Sequence, residues 1–460
     1  MSPETHFAGT RQVRCFPERP RSLHALLANA VARNPQGTAL VCEDTRLTYA
    51  ALDQQVGRLA AGWRALGVQA GDRIALLLSN RIEFVLSLLA ATRLGAITVP
   101  LSIREQTPGL LYMLEHCGAT LLVHDAALHS VLPDAASLPG LKWRVSFDGC
   151  ADALDFHHLL ADVPLTQAAA VNEEDTVVIL YTSGTTGRPK GAMLSHMGVV
   201  HSCMHFQVGM GLGPQDCSIA AVPLSHVTGL VALVTTLLHA AGKLVILPTF
   251  KAPLFLDLAV RERMTHSLMV PAMYNLCLLQ DQFATLDLSA WRVGAYGGAP
   301  MPVASIDALA QKLPQLVLMN CYGATETTSP ATMMPPGETA THNDTVGLPV
   351  PCAEMKVVDD DGHELPAGAM GEIWIKGPMV VKGYWDNPQA TADNFTAGFW
   401  HSGDLGSIDA QGYVRVHDRI KDMINRGGYK IYTIEVENAL YEHPDVVESA
   451  VVAKPCPVLG

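Results

Sequence analysis

From residue 21 to about residue 344, apolar positions alternate between two textures: short unbroken runs, and longer stretches with an apolar residue every three or four positions. The first fits a strand buried on both faces, the second a helix with one buried face. Residues 21–34 place Leu23, Leu26, Leu27, Ala30 and Val31 at helical spacing. Residues 39–42 and 47–49 read as a short hairpin, after which Thr48 is positioned to cap a helix over 49–66 that Gly67 ends. Residues 73–78 predict a buried strand, Asn80 a cap for a helix over 81–94, Gly95 its stop, and 96–99 the next strand. The layout recurs with a strand over 217–222, a helix over 228–241 stopped by Gly242, and a strand over 243–247. Two such units predict an α/β fold with two βαβ-type subdomains, roughly 21–170 and 171–344, packed in one large region. The polar, Pro- and Arg-rich residues 1–20 read as a loosely held arm.

The texture changes over 345–417. Short alternating runs at 354–358, 371–376 and 412–416 are separated by turn signals at Asp361-Gly362 and Gln411-Gly412, which predicts a small antiparallel β-barrel. The acid cluster 359–362 lacks the alternate acids and the distal glutamate of a calcium loop and reads as a hairpin turn. A domain boundary falls after Asp418, giving a large N-terminal domain over 1–418. The remaining residues, 419–460, predict a helix over 433–441 and a strand over 449–453. One helix and one strand cannot bury a core, so this α+β domain reads as truncated.

Composition narrows the function classes. A formal charge of −13 argues against nucleic acid as a partner, because phosphate backbones need clustered lysine and arginine. Ten cysteines include no C-x-x-C pair, which fits a reduced, cytoplasmic setting without structural zinc or a disulfide framework. The first residues contain no apolar signal-type segment. The longest apolar tract, 227–241, falls short of the ~20 residues a membrane span needs, and reads as a buried helix.

Candidate chemistry begins with YTSGTTGRPK over residues 181–190, delivered by the apolar run 176–180. It holds the hydroxyls of Thr182, Ser183, Thr185 and Thr186, the glycines Gly184 and Gly187, and ends on Lys190. Hydroxyls and bare backbone N–H groups suit phosphate oxygens, and the lysine adds a point charge. The P-loop pattern is not met, because Lys190 follows Pro189 and precedes Gly191. On composition alone a surface loop explains the stretch equally well. The whole string resembles the phosphate loop of the adenylate-forming (AMP-binding) superfamily, of the acyl-CoA synthetase type. That superfamily also includes firefly luciferase and the adenylation domains of peptide synthetases.

Further motifs in the family's order extend the resemblance over nearly the whole chain. AYGGAP over 295–300 resembles one wall of the family's adenine pocket, which implies that Gly297, Gly298, Ala299 and Pro300 lie against the base. Small residues allow that close backbone approach. NCYGATET over 320–327 resembles the motif YG-x-TE. The resemblance places Asn320 in the nucleotide site, stacks Tyr322 on adenine, sets Thr325 on the α-phosphate and gives Glu326 to Mg²⁺, an ion that prefers oxygen ligands shared with phosphates. HSGDLG over 401–406 implies that Asp404 accepts from the ribose hydroxyls, and DRIKD over 418–422 implies that Arg419 contacts ribose or phosphate.

PLSHVTG over 223–229 occupies the place of the acyl-pocket entrance, with His226 between the carboxylate and the phosphates. The implied acyl pocket comprises His226, Val227, Gly229, Met273 and Tyr296. Adenylation domains for amino acids carry an aspartate in this region, whereas here the stretch is neutral or apolar, which disfavours a substrate with a buried ammonium. Lys421 falls at the position of the family's hinge to its small, mobile C-terminal domain, and Gly427 and Gly428 resemble the loop lining the pantetheine tunnel. The family's adenylation lysine lies in a further C-terminal loop that Lys454 does not match, so the chain is expected to lack it.

The resemblance implies ATP, Mg²⁺ and coenzyme A, with Lys190, His226, Thr325 and Glu326 at the reacting groups. A fatty or aryl carboxylic acid is activated to an acyl-adenylate and passed to a thiol. The alternatives are a stand-alone enzyme loading a carrier protein's phosphopantetheine, and a catalytically impaired nucleotide-binding relative. A homo-oligomer is allowed, and no interface signature stands out.

Overall fold

The computed structural model describes residues 3–8, 11–182, 188–426, 429–441, 443, 446 and 449–454. Local signals set the helix ends. Ser22 accepts from Ala25 N at the start of Leu23–Arg33, and Thr48 accepts from Ala51 N at the start of Tyr49–Ala65. Gly95 closes Ile82–Leu94 in the left-handed conformation at φ 71°.

Two sheets with mainly parallel strands form the large region. The seven-stranded sheet runs Lys190–Ser195, Thr176–Thr182, Ile97–Pro100, Arg73–Leu77, Ala119–Asp125, Trp143–Phe147 and Leu154–Asp155. The nine-stranded sheet runs from Leu348–Pro349 through Val317–Tyr322, Val293–Tyr296, His266–Met269, Cys217–Ala220 and Lys243–Ile246 to the hairpin Thr38–Cys42/Thr45–Thr48. Sheet membership therefore crosses residue 170 in both directions. The hairpin near the start joins the later sheet, while Thr176–Thr182 and Lys190–Ser195 join the earlier one. Leu40 and Val41 pair with Leu244 and Val245, and one continuous apolar core links helices from both halves. A third, curled antiparallel sheet of five strands includes Glu354–Val358, Gly371–Lys376, Phe399–Ile408 and Val414–Arg419.

Several expectations are corrected. The first residues form a hairpin, Glu4–Ala8 with Arg11–Cys15, rather than a loose arm. The buried Arg19 guanidinium holds it through Glu4 at 2.7 Å and Glu173 at 2.9 and 3.0 Å. Asn80 does not cap the next helix. Its side chain donates to Val222 O and Leu247 O and accepts from Leu224 N, so it ties the crest of one sheet to the loop before Ser225-His226. The apolar tract past residue 227 is buried as expected, but Thr228–Thr235 takes wider π-helical turns before Thr236–Ala240 continues as α-helix. Thr235 and Thr236 both donate to Val231 O there, at 3.0 and 2.9 Å. The acid cluster is a turn: Asp359 Oδ1 accepts from Asp361 N and His363 N, and Gly362 is left-handed.

After Arg419 come a hairpin, Ile424–Arg426 with Tyr429–Ile431, and the expected helix Thr433–Tyr441. Residues 449–454 form no strand. Among the described residues no helix is long and apolar enough to cross a membrane.

Candidate active site

Strand Thr176–Thr182 pairs antiparallel with Lys190–Ser195 so that Thr182 stands opposite Lys190. Sheet register thus fixes both ends of the donor-rich loop. Ser183, Gly184, Thr185, Thr186 and Gly187 lie outside the described residues. From the other sheet, strand Val317–Tyr322 ends at Tyr322 and turns sharply at Gly323, where a Cβ would meet Thr327 Oγ1 at 3.0 Å and Ala331 N at 3.1 Å. Ala324 N donates to Thr327 Oγ1, closing the short turn Thr325–Thr327 that carries Glu326. Thr328 and Ser329, which follow, both have positive φ, a strained conformation that clusters at functional sites.

These strand ends and the curled sheet enclose a cavity of about 1030 Å³. At one end, Glu326 Oε1 accepts from Tyr384 OH at 3.0 Å and lies 3.4 Å from Thr182 Oγ1. The Lys190 ammonium sits 4.9 Å over the Tyr384 ring. Burial, and then the neighbouring Glu326 carboxylate, hold the Tyr384 phenol well above its usual pKa, so it stays a donor.

At the other end, Tyr322 OH donates to Asp404 Oδ2 at 2.5 Å, and Arg419 Nε lies 3.8 Å from Asp404 Oδ1. Asp404 and Arg419 face each other across neighbouring strands. Burial raises the Asp404 pKa, while the Tyr322 hydrogen bond and the guanidinium pull it back. Ser402 accepts from Asp404 N, Gly403 N donates to Glu372 Oε1, and Ile420 N donates to Gly403 O, so the Asp404 turn is held from both sides.

Gly297 and Gly298 follow the strand beside Tyr322. A Cβ on Gly297 would stand 2.3 Å from Cys321 O, so only glycine lets these two segments meet. His226 opens onto the cavity, with Nδ1 3.3 Å from Thr228 Oγ1. Desolvation by the surrounding walls lowers its pKa, which keeps the ring neutral at pH 7. Lys421 lies on the rim, in a turn where Asp422 N and Met423 N donate to Arg419 O. Beside it the buried Asp418 carboxylate accepts from Thr433 N at 2.5 Å and from Arg419 N at 2.8 Å, capping helix Thr433–Tyr441.

The cavity therefore gathers Thr182, Lys190, His226, Val227, Gly297, Gly298, Ala299, Pro300, Asn320, Tyr322, Thr325, Glu326, Asp404, Arg419 and Lys421. Three acyl-pocket candidates do not line it. Tyr296 and Met273 are buried, and Gly229 packs where a Cβ would meet Pro223 O at 2.2 Å. Gly427 and Gly428 lie outside the described residues. Sequence reasoning missed Tyr384, Glu372, Trp400 and Asp418. The run KGYWDNP over 382–388, two aromatics in a glycine- and proline-flanked loop, was the available signal for Tyr384.

The sequence profile of the AMP-binding enzymes matches residues 27–385, more than three quarters of the chain. The chain belongs to the AMP-binding enzyme family. Among AMP-binding enzymes, a feruloyl-CoA synthase of an Amycolatopsis species is 36% identical over 428 residues, covering 93% of this chain and 84% of the relative. The anthranilate CoA ligase AuaEII, solved with anthranoyl-AMP, superposes with a TM-score of 0.89 at 26% identity, over 96% of this chain and 85% of that one. ATP-bound MatB from Rhodopseudomonas palustris superposes with a TM-score of 0.86 at 30% identity, over 95% and 87%.

Proposed function

We propose that the cavity is the adenylation site of this acid–thiol ligase and that its two polar ends divide the nucleotide between them. The chain uses ATP to activate a carboxylic acid and forms a coenzyme A thioester. A carboxylate oxygen attacks the α-phosphorus, pyrophosphate leaves, and the thiol then displaces AMP from the acyl carbon. The observation that carries the residue assignment is the convergence in one cavity of Lys190 and Glu326 at one end with Tyr322, Asp404 and Arg419 at the other.

In this reading Asp404 and Arg419 hold the ribose, Tyr322 and the Gly297–Pro300 segment flank the adenine, and Asn320 completes that pocket. Thr182, Lys190 and Thr325 bind phosphate oxygens, together with Ser183, Gly184, Thr185, Thr186 and Gly187. The Glu326 carboxylate, with hydroxyls on either side, is an oxygen donor set that suits Mg²⁺. When bound, that ion supplies charge neutralisation on the phosphates. The protein's own part is in-line positioning, water exclusion and electrostatic support. His226, neutral and at the cavity wall, donates one hydrogen bond to the substrate carboxylate. The division into 1–418 and a C-terminal unit from 419, hinged at Lys421, belongs to the same reading, as do coenzyme A contacts at Gly427 and Gly428.

The acid is fatty or aromatic. His226, Val227, Leu268 and Met301 offer no buried charge to pair with a substrate ammonium. The cytoplasmic setting rests on the cysteine pattern, and the exclusion of nucleic acid on the net charge of −13. A panel of fatty and aryl acids, assayed for acid-dependent pyrophosphate release and then for coenzyme A-dependent AMP release, tests the reading. Pyrophosphate release without any acid would overturn it. AMP release only with a phosphopantetheinyl carrier protein would move the acceptor from coenzyme A to a carrier. Lys190→Ala is expected to weaken ATP binding, and unchanged affinity would remove Lys190 from the phosphate site.

A further inference from the structure

A second set of chemically active side chains lies at the far side of the seven-stranded sheet, away from the cavity. His124 is the penultimate residue of strand Ala119–Asp125, and His129 follows in the turn Ala126–Val131. Cys150 lies just beyond the neighbouring strand Trp143–Phe147. The two strands are parallel and paired, with His124 opposite Ser146 and Asp125 opposite Phe147, so both chains leave the sheet at the same edge. Asp148 and Gly149 then adopt consecutive left-handed conformations, φ 66° and 76°, and turn Cys150 back over the end of the first strand.

One ligand atom from each of His124, His129 and Cys150 lies within 4.8 Å of the others. Cys150 Sγ is 3.1 Å from His129 Nδ1. His124 is fully buried, its Nδ1 bonds the Asp125 carbonyl oxygen at 3.0 Å, and its Nε2 has no hydrogen-bond partner among the described residues. A buried imidazole nitrogen without a partner needs an explanation. A ring whose first nitrogen is oriented by a backbone carbonyl while the second is bare is prepared as a metal ligand.

We propose that His124, His129 and Cys150 form a binding site for a thiolate- and imidazole-preferring divalent transition-metal ion of the Zn²⁺ class, distinct from the nucleotide site. One sulfur and two nitrogens suit zinc, whose bonds of roughly 2.0–2.3 Å set ligand separations of roughly 3.5 Å. Closing to that spacing calls for rotation of the His129 and Cys150 side chains, both less buried than His124, about the fixed His124. Binding replaces the Cys150 thiol proton, which leaves to solvent as the Zn–S bond forms. The partial exposure of His129 and Cys150 leaves the fourth position to water. The cysteine spacing argued against structural zinc, but these ligands are brought together by strand pairing across 26 residues rather than by a local motif.

The test uses the full chain, dialysed against a chelator and titrated with Co²⁺ as a spectroscopic stand-in for Zn²⁺. One equivalent is expected to give the near-ultraviolet thiolate-to-cobalt charge-transfer band and the visible bands of four-coordination, and excess Zn²⁺ to abolish both. Cys150→Ser removes the charge-transfer band, and His129→Asn weakens Zn²⁺ by more than about 100-fold, beyond the usual cost of losing an outer-sphere partner. Neither residue touches the nucleotide cavity, so acid-dependent pyrophosphate release by both variants remains at the wild-type level and reports an intact fold. A wild-type protein without the charge-transfer band, or a band that survives Cys150→Ser, overturns the proposal. So does a Cys150 alkylation rate that one equivalent of Zn²⁺ leaves unchanged, which would mark the Cys150–His129 pair as a simple thiol–imidazole contact.

Discussion

Tyr384 donates its hydroxyl to Glu326 across 3.0 Å at one end of the cavity, and the two residues come from different sheets. Glu326 follows strand Val317–Tyr322 of the nine-stranded sheet, whereas Tyr384 lies in the connection between two strands of the curled sheet, Gly371–Lys376 and Phe399–Ile408. The bond therefore joins two layers at the point where phosphate chemistry is assigned. Tyr384→Phe removes one hydrogen bond to a carboxylate, worth about 1.5–3 kcal/mol. Its kcat/KM for ATP in acid-dependent pyrophosphate release should fall by about 10- to 100-fold. An unchanged kcat/KM would confine the bond to a structural role.

Asp404, proposed to hold the ribose, should give nucleotide binding an acid limb. Its folded-state pKa is raised by burial, so it takes up a proton at a higher pH than an ordinary aspartate. The ribose hydroxyls need the carboxylate form as acceptor. ATP affinity should therefore weaken as pH falls, beginning above the usual aspartate value of 3.8. Asp404→Asn should bind ATP more weakly throughout but lose this limb. For folding the sign is opposite: Asp404 favours the native state most fully below its ordinary pKa, and that contribution is lost as pH rises through the raised one. Calorimetric ATP titrations between pH 5 and 8, flanked by lower points, measure the first effect.

Asn80 makes three hydrogen bonds to backbone groups of two other segments. Asn80→Ala leaves Val222 O, Leu247 O and Leu224 N short of a partner, and should cost about 2–4 kcal/mol in denaturant unfolding. Because Leu224 immediately precedes Ser225 and His226, the KM for the acid should rise more than the KM for ATP. Equal effects on both would indicate general destabilisation.

Acid should unfold the protein by way of buried histidines. Burial lowers the pKa values of His196, His205 and His266 to about 4. His196 Nδ1 accepts from Leu23 N, a bond available only to the unprotonated nitrogen. A lowered pKa means that stability is full above the unfolded value near 6.5 and is lost as pH falls towards 4. These three groups alone give a slope on the order of 4 kcal/mol per pH unit near pH 5.5. Guanidinium unfolding at pH 7, 6 and 5.5 measures it, and a flat profile would mean that the imidazoles protonate without unfolding.

Much of the local structure was legible in the chain. Thr48 and Gly95 mark helix ends because a short hydroxyl side chain and a left-handed glycine solve a local hydrogen-bonding problem. The motifs around Lys190, Tyr322, Asp404 and Arg419 were legible too, since each supplies its own chemical groups. Asn80 was misjudged because a short polar residue before a helix has the same local appearance whether it caps that helix or bridges to other chain segments.

By itself, the sequence determined many of the strands and helices, the family, and the main polar groups of the cavity. Those properties follow from spacing and side-chain chemistry within a few residues. Tertiary structure alone decided that the hairpin Thr38–Cys42/Thr45–Thr48 completes the later sheet, that Tyr384 serves Glu326, and that Tyr296 and Met273 are buried without lining the cavity. It alone brought His124, His129 and Cys150 together. Each of these is a pairing between distant segments, set by strand register and by how the layers pack, and no local pattern of residues encodes it.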